Sequence, residues 1–354
     1  MHNSSYFNCF FAACSIGVLL FFSCSQGRLG GEWSIPREQL AEGEGNGDIP
    51  AINNPIFQQA SEVDFLGDSS IVLGVSINGK IRAYPLQILS WHEVVNDEID
   101  SIPIAITYSA LSGSSIVFDR RVRNNTLQFR VSGLLYNSNT ILNEFETFTD
   151  WSQLLRKGVR GDLIETPLSS FPVVEMRWEK WRQLFPNSEV LTRNTGFNRP
   201  YGTYPYGDYR TDSTNILFDL PLDIDSLNQV YFLKEKMLGV KVGNVVQGFR
   251  ESHFATDDFS IIETEVGGVP ILVIGQQGTQ LMVAYGRQNS QGEILQFSIT
   301  TENNQVILTD NQGSLWSIFG QSLTNPTEHL VYLESNVAYW FTWATFYPEI
   351  NIFQ

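Results

Sequence analysis

Residues 81–120 read IRAYPLQILSWHEVVNDEIDSIPIAITYSALSGSSIVFDR, and the fold turns on how that stretch is read. Apolar and polar residues alternate through most of it at the two-residue period of a half-buried strand. The alternation breaks at Trp91-His92-Glu93 and again at Ser109-Ala110-Leu111-Ser112-Gly113. Just upstream, Asn78-Gly79 separates two alternating runs, and this dipeptide suits a tight hairpin turn because both central residues need positive φ. Pro85 ends the second run, and residues 86–92 place Ile88, Leu89 and Trp91 at helical spacing. Strands are predicted again over 102–108, 115–120, 127–131 and 140–145.

Further along, residues 175–186 place Trp178, Trp181, Leu184 and Phe185 on one stripe of a helix, opposite charged residues. Pro186 stops this helix, since the residue before a proline is pushed out of helical geometry. The second half of the chain reuses the same words in the same order. Leu73-Gly74-Val75 matches Leu238-Gly239-Val240, and Ile102-Pro103-Ile104 matches Val269-Pro270-Ile271. Leu127-Gln128-Phe129 matches Leu295-Gln296-Phe297, Trp151-Ser152 matches Trp316-Ser317, and Trp178, Trp181 and Pro186 match Trp340, Trp343 and Pro348. The fold class expected from this is α+β, with two tandem β-rich repeats, each closed by a Trp-x-x-Trp helix, packed as one bilobal body. The expected boundaries are repeat one over 61–192, a Tyr/Gly/Pro-rich connecting loop over 193–235, and repeat two over 236–354. Both polar inserts belong to repeat one alone, which places the candidate site there.

The whole chain has 354 residues, 42% hydrophobic and 13% aromatic, enough to bury a substantial core. Its net charge of −16, from 38 acidic and 22 basic residues, offers no basic footprint for nucleic acid. All three cysteines, Cys9, Cys14 and Cys24, fall in the first 24 residues, beside an apolar run that ends at Phe21-Phe22-Ser23-Cys24. Such a run reads as a lipoprotein signal peptide over 1–24, with Cys24 as the acylated residue. Residues 25–60 then read as a tether. The expected partners are a lipid bilayer, reached through Cys24, and an unidentified small molecule. The expected location is the bacterial cell envelope, on the periplasmic side of the outer membrane, with Ser25 after the cysteine.

The candidate catalytic residues are His92, Glu93, Ser109 and Ser112. A histidine beside a carboxylate suggests a general base, although adjacent helical residues point about 100° apart and do not share one face. The serines follow a strand without a G-x-S-x-G elbow, so a polar turn is the favoured reading and a nucleophile the other. Candidate ligand-binding residues are Trp91, Tyr136, Asn137, Asp150, Gln153, Tyr206 and Asp208, and the tyrosines of residues 201–209 offer a stacking wall with polar tips. Asp219, Asp223 and Asp225 fail as a calcium loop: counting from Asp223, the twelfth position is Lys234, where a bidentate glutamate is required. The sequence identifies no metal site and no cofactor.

Taken together, Ala83-Tyr84-Pro85-Leu86, residues 91–97 (WHEVVND), Thr107-Tyr108, Gly113-Ser114, Phe118-Asp119-Arg120, residues 131–138 (VSGLLYNS), Trp151-Ser152-Gln153 and the tyrosine loop resemble the bacterial domain of unknown function 3179 family. The resemblance runs from about residue 71 to 354. Members of that family commonly carry Cys-x-x-Cys where this chain has Ser109-Ala110-Leu111-Ser112. The thiolates that a redox couple or a soft metal would require are therefore missing at that place. A non-catalytic binding or scaffold lipoprotein for a small molecule or saccharide is the expected function. A hydrolase-like or metal-dependent enzyme using His92 is the alternative.

Overall fold

Asn78 and Gly79 both take positive φ, 51° and 78°, and join the antiparallel strands Ile71–Ile77 and Lys80–Pro85. The structure, a computed structural model, describes residues 31–43, 49–212, 215–302 and 305–354, so the expected signal peptide and Cys24 lie outside the described residues. The same tight-turn geometry recurs without glycine at Asp100-Ser101 (51° and 64°) and at Asn137-Ser138 (50° and 62°). Short polar side chains that bond locally make such left-handed positions accessible.

Five strands form the sheet that carries the first hairpin, in the order Val174–Arg177, Ile71–Ile77, Lys80–Pro85, Glu189–Leu191, Phe57–Gln59. A second sheet runs Ser170–Phe171, Ser114–Asp119, Ile102–Ser109, Val94–Ile99, and a third runs Leu40–Glu42, Arg130–Tyr136, Asn139–Asn143, Asp150–Ser152, Lys157–Arg160. In the second half, Glu334–Tyr339, Lys236–Val242, Val245–Arg250 and Asn351–Ile352 make a four-stranded sheet. Another contains Ser260–Val266, Val269–Gln276, Leu281–Gly286 and Val331–Tyr332, and a three-stranded sheet contains Phe297–Glu302, Gln305–Asp310 and Leu315–Trp316.

The α+β expectation of two tandem repeats in a bilobal body is overturned. Strands make up 43% of the chain and helices 12%, spread over several small sheets without evident tandem repeats. Residues 33–354 form a single compact unit. The core explains why. Val72, Trp178 and Trp181 share one apolar cluster with Leu272, Trp316 and Phe319, while Phe118 and Trp151 share another with Met237, Trp340 and Trp343. Each cluster thus draws on both halves of the chain. Polar links do the same: Lys236 pairs with Glu175, and Arg156 donates to the Ser335 carbonyl at 3.0 Å and to Asn336 at 2.9 Å. What the matched words mark is local. Trp181 lies over Gly74 and Trp343 over Gly239, where any Cβ would overlap the indole ring.

The helices Trp178–Leu184 and Trp340–Phe346 differ in setting. The first exposes Glu179, Arg182 and Gln183, whereas residues 340–345 of the second are all buried. The described part of the expected tether is not free chain. Leu40–Glu42 pairs with Arg130–Tyr136, Phe57–Gln59 pairs with Glu189–Leu191, and Ile52 is buried. The expected connecting loop contains the helix Ile224–Val230, whose N-cap Asp223 accepts from the N–H groups of Asp225 and Ser226. Capping, not calcium, explains that aspartate pattern.

Candidate functional site

The helix Leu86–His92 starts after Pro85 and ends because Glu93 turns left-handed, with φ 54° and ψ −23°. That turn sends the two neighbouring side chains to different partners. His92 is fully buried, with Nδ1 2.7 Å from the Pro50 carbonyl and Nε2 2.6 Å from the Tyr201 hydroxyl. A carbonyl only accepts, so Nδ1–H is the donor and Nε2 accepts from Tyr201. The Tyr201 oxygen lies 2.5 Å from the Thr195 hydroxyl. Burial is the main cause lowering the pKa of His92, and Arg199 lowers it further against the bond to Pro50. Both ring nitrogens of His92 are therefore committed inside the fold.

Glu93 is 4% exposed. One carboxylate oxygen accepts from the Thr140 hydroxyl at 2.7 Å and the other from the Tyr206 hydroxyl at 3.1 Å. Burial pushes its pKa up to about 7, although Thr140, Tyr206 and the Ala110 backbone N–H each favour the ionised form. The Thr140 hydroxyl also stands 3.1 Å from Ser109 Oγ, and the Thr140 N–H donates to that oxygen at 3.1 Å.

Beside this pair lies a second, fully buried polar knot. The Asn139 amide donates to Ser112 at 2.9 Å, Ser114 at 3.0 Å and the Gln153 carbonyl oxygen at 2.8 Å, and its own oxygen accepts from the Leu154 N–H at 3.1 Å. Ser114 donates to Gln153 at 2.6 Å, and the Gln153 amide donates to Thr107 at 2.9 Å. The tyrosine segment lies across the Ser109–Ser112 turn: Tyr204 donates to the Ala110 carbonyl at 3.3 Å, Tyr209 to the Leu111 carbonyl at 2.8 Å, and the Trp91 indole to the Thr203 carbonyl at 3.0 Å.

The structure thus gathers His92, Glu93, Ser109, Ser112, Gln153, Trp91 and Tyr206 into one neighbourhood. Four other candidates stand apart from it. Tyr136 packs its ring against Phe346 at 5.2 Å, and Asn137 occupies a left-handed turn position and donates to Gln39 at 3.2 Å. Asp150 pairs with Arg160 and accepts from Asn143 at 2.6 Å, and burial raises its pKa against that pairing. Asp208 is exposed. Sequence reasoning missed Thr107, Asn139, Thr140 and Thr195. Asn139 and Thr140 carried a readable signal, being polar residues placed directly before the apolar pair Ile141-Leu142 of their strand. Among the described residues no group of three or more His, Cys, Asp or Glu side chains could hold a metal ion.

The open space lies elsewhere. A cleft of about 950 Å³ is lined by residues from 76–82 and 184–189 on one side and 306–323 on the other. Its apolar lining is the half-buried Phe185 over the buried Leu184, Ile318 and Phe319, with Phe185 and Phe319 in ring contact at 5.4 Å. Arg82, also on its wall, bonds Asp97 at 2.8 Å and Glu189 at 2.8 Å.

A family model described as "Protein of unknown function (DUF3179)" matches residues 46–350. The chain belongs to that family. No curated protein and no solved structure matches it. The DUF3179 match spans the His92–Glu93 helix end, the Ser109–Ser112 turn, the tyrosine segment and the cleft alike. Membership therefore does not choose between the buried neighbourhood and the open one.

Proposed function

We propose that this DUF3179 protein is a small-molecule or saccharide binding protein of the bacterial cell envelope, acting without catalysis. The observation that carries this reading is the closure of the buried neighbourhood. Both nitrogens of His92 are occupied, and the Asn139 and Gln153 amides are bonded to one another and to Ser112, Ser114 and Thr107. A general base must reach the proton it takes, at ~2.6–3.2 Å or through one water. His92 has no free nitrogen with which to do so. The cleft, by contrast, presents apolar and polar side chains to solvent at the upper end of the ~300–1,000 Å³ usual for ligand pockets.

The anchor belongs to the same proposal. Acylation at Cys24 would hold the chain to a bilayer, with the outer membrane facing the periplasm as its place, and the apolar run before Cys24 supports this. Among the described residues no helix is long and apolar enough to cross a membrane. Intact-mass measurement of the membrane fraction tests the anchor, with acylated Cys24 as the expected first residue. For binding, the test is a thermal-shift screen of metals, sugars and small acids on the full-length protein, coupled to product analysis. Stabilisation by mass action without turnover is the expected result.

A second reading is favoured by one observation, the pKa of about 7 at Glu93, which suits an acid–base group at neutral pH. In that reading Glu93 exchanges a proton with Ser109 through Thr140, and the enzyme depends on Glu93 more than on His92. Turnover of any compound in the screen, abolished in Glu93→Gln, would replace the binding reading with this one.

A further inference from the structure

Resting on the reading of the chain as a binding protein, we infer that the cleft between the Lys80–Pro85 strand and residues 317–323 takes a neutral polyhydroxyl ligand of the oligosaccharide class.

The charge balance of the walls points to a neutral occupant. Arg82 is spent on Asp97 and Glu189, and Lys80 pairs with Asp100 at 2.9 Å. An anionic ligand would have to displace Asp97 or Glu189 from the half-buried Arg82, and a cationic one would have to compete with Arg82 for Glu189. The polar groups left over are neutral. Among the described residues the side chains of Asn187 and Gln321, both on the lining, have no hydrogen-bond partner. A carboxamide offers two donors and one acceptor oxygen, which matches vicinal hydroxyls that both donate and accept.

The apolar lining fits the same class. Phe185 and Phe319 pack at 5.4 Å and are backed by Trp181, whose ring lies 4.7 Å from Phe185 and 6.3 Å from Phe319. Phe319 is 7% exposed and Phe185 is half-buried, so Phe185, held from behind by Phe319 and Trp181, is the ring left to receive the C–H face of a pyranose. Leu323, 52% exposed, extends this apolar surface at the rim.

A peptide fits less well. Peptides commonly bind by adding a strand to an exposed sheet edge. Lys80–Pro85 and Gln305–Asp310, the strands that border the cleft, each lie between two others, and beside it only residues 80–81 and 305–307 are unpaired on one side, too short a run for an added strand. Recognition here has to come from side chains, and those present are amides and aromatic rings.

The test is calorimetric titration of the full-length protein in detergent micelles with maltohexaose, cellohexaose and chitohexaose. Hexagalacturonate and an uncharged hexapeptide serve as comparators. At least one neutral hexasaccharide should bind, and the double variant Asn187→Ala/Gln321→Ala should weaken it at least tenfold with an unchanged melting temperature. Glu265→Ala, exposed and off the lining, should leave the affinity as it was. Binding of hexagalacturonate or the peptide alone would overturn the ligand class and leave the binding reading standing. Binding of a neutral hexasaccharide that ignores the double variant would overturn the cleft as its place. Absence of binding by every probe, and by the metals and small acids of the broader screen, would overturn the binding reading itself.

Discussion

Two regions of this protein are polar for opposite reasons. Around Glu93 the polar groups face one another: Glu93, Ser109, Ser112, Asn139 and Gln153 are each at most 4% exposed, and each has internal partners. Along the cleft the charged groups are paired off, and the uncharged amides of Asn187 and Gln321 face solvent. A buried amide or carboxyl without a partner costs roughly 1–3 kcal/mol, so a polar interior must close on itself. An accumulation of polar residues in the sequence can therefore mark structure, while a ligand-sized opening is built from residues that look ordinary in the text.

The sharpest way to test this contrast begins with the scaffold of the cleft. Trp181 is fully buried, sits over Gly74 and backs Phe185 and Phe319. Trp181→Ala should cost about 3–5 kcal/mol in denaturant unfolding and should abolish ligand binding along with it. A loss below about 1 kcal/mol would mean that the cleft wall stands without this ring. Next in size is the closed region. Asn139→Ala removes the amide whose two N–H groups are shared among Ser112, Ser114 and Gln153, and leaves the buried Leu154 N–H without its acceptor. The expected cost is about 2–4 kcal/mol, since a half-satisfied buried network is worse than an apolar one. Equilibrium unfolding measures it, and a change under 0.5 kcal/mol would show the network to be loose.

Particular residues show how much of this was legible in the sequence. The Asn78-Gly79 turn could be read because its positive φ values are a property of two adjacent residues. The helix Trp178–Leu184 could be read from its spacing and from Pro186. The fold class could not. Leu73-Gly74-Val75 and Leu238-Gly239-Val240 record that a flat strand must admit an indole, which is a local requirement carrying no information on sheet order. In the same way, the polar inserts name Glu93 and Ser109, both of which meet Thr140, yet the partners that define their state come from far along the chain. Tyr201 is 109 residues from His92, and Thr140 is 47 from Glu93. The cleft was invisible for the same reason, because three separate stretches meet to form it.

A third prediction isolates the electrostatic cost of the closed region. The pKa of Glu93 is raised from 4.5 to about 7 in the folded protein, so between these values the folded state holds a proton that the unfolded state has released. The stability linked to this group is fully present below pH 4.5 and is lost as pH rises through about 7. Glu93→Gln should therefore match the parent near pH 4.5 and exceed it by roughly 3 kcal/mol at about pH 8, about 1.4 kcal/mol for each pH unit between the two values. His92 acts in the opposite sense, since its lowered pKa makes stability rise as pH climbs towards its unfolded value. Burial raises the pKa values of Tyr108, Tyr204 and Tyr339 nearby above 10.0. The difference between parent and Glu93→Gln cancels these contributions. A constant difference across pH would mean that Glu93 is solvated and the region is open after all.

The smallest expected effect is the one that separates the two regions most cleanly. Asn187 and Gln321 are the same chemical groups as Asn139 and Gln153, but their amides have no internal partner among the described residues. Removing them leaves nothing buried and unpaired, so Asn187→Ala and Gln321→Ala should each change stability by less than about 0.5 kcal/mol, as surface substitutions do. The pair should also be additive, because they share no bonding partner. Unfolding of both single variants and the double variant provides the measurement. A cost above about 1.5 kcal/mol in either single variant would place its amide inside a network like that of Asn139, and the division between a closed interior and an open cleft would fail at that residue.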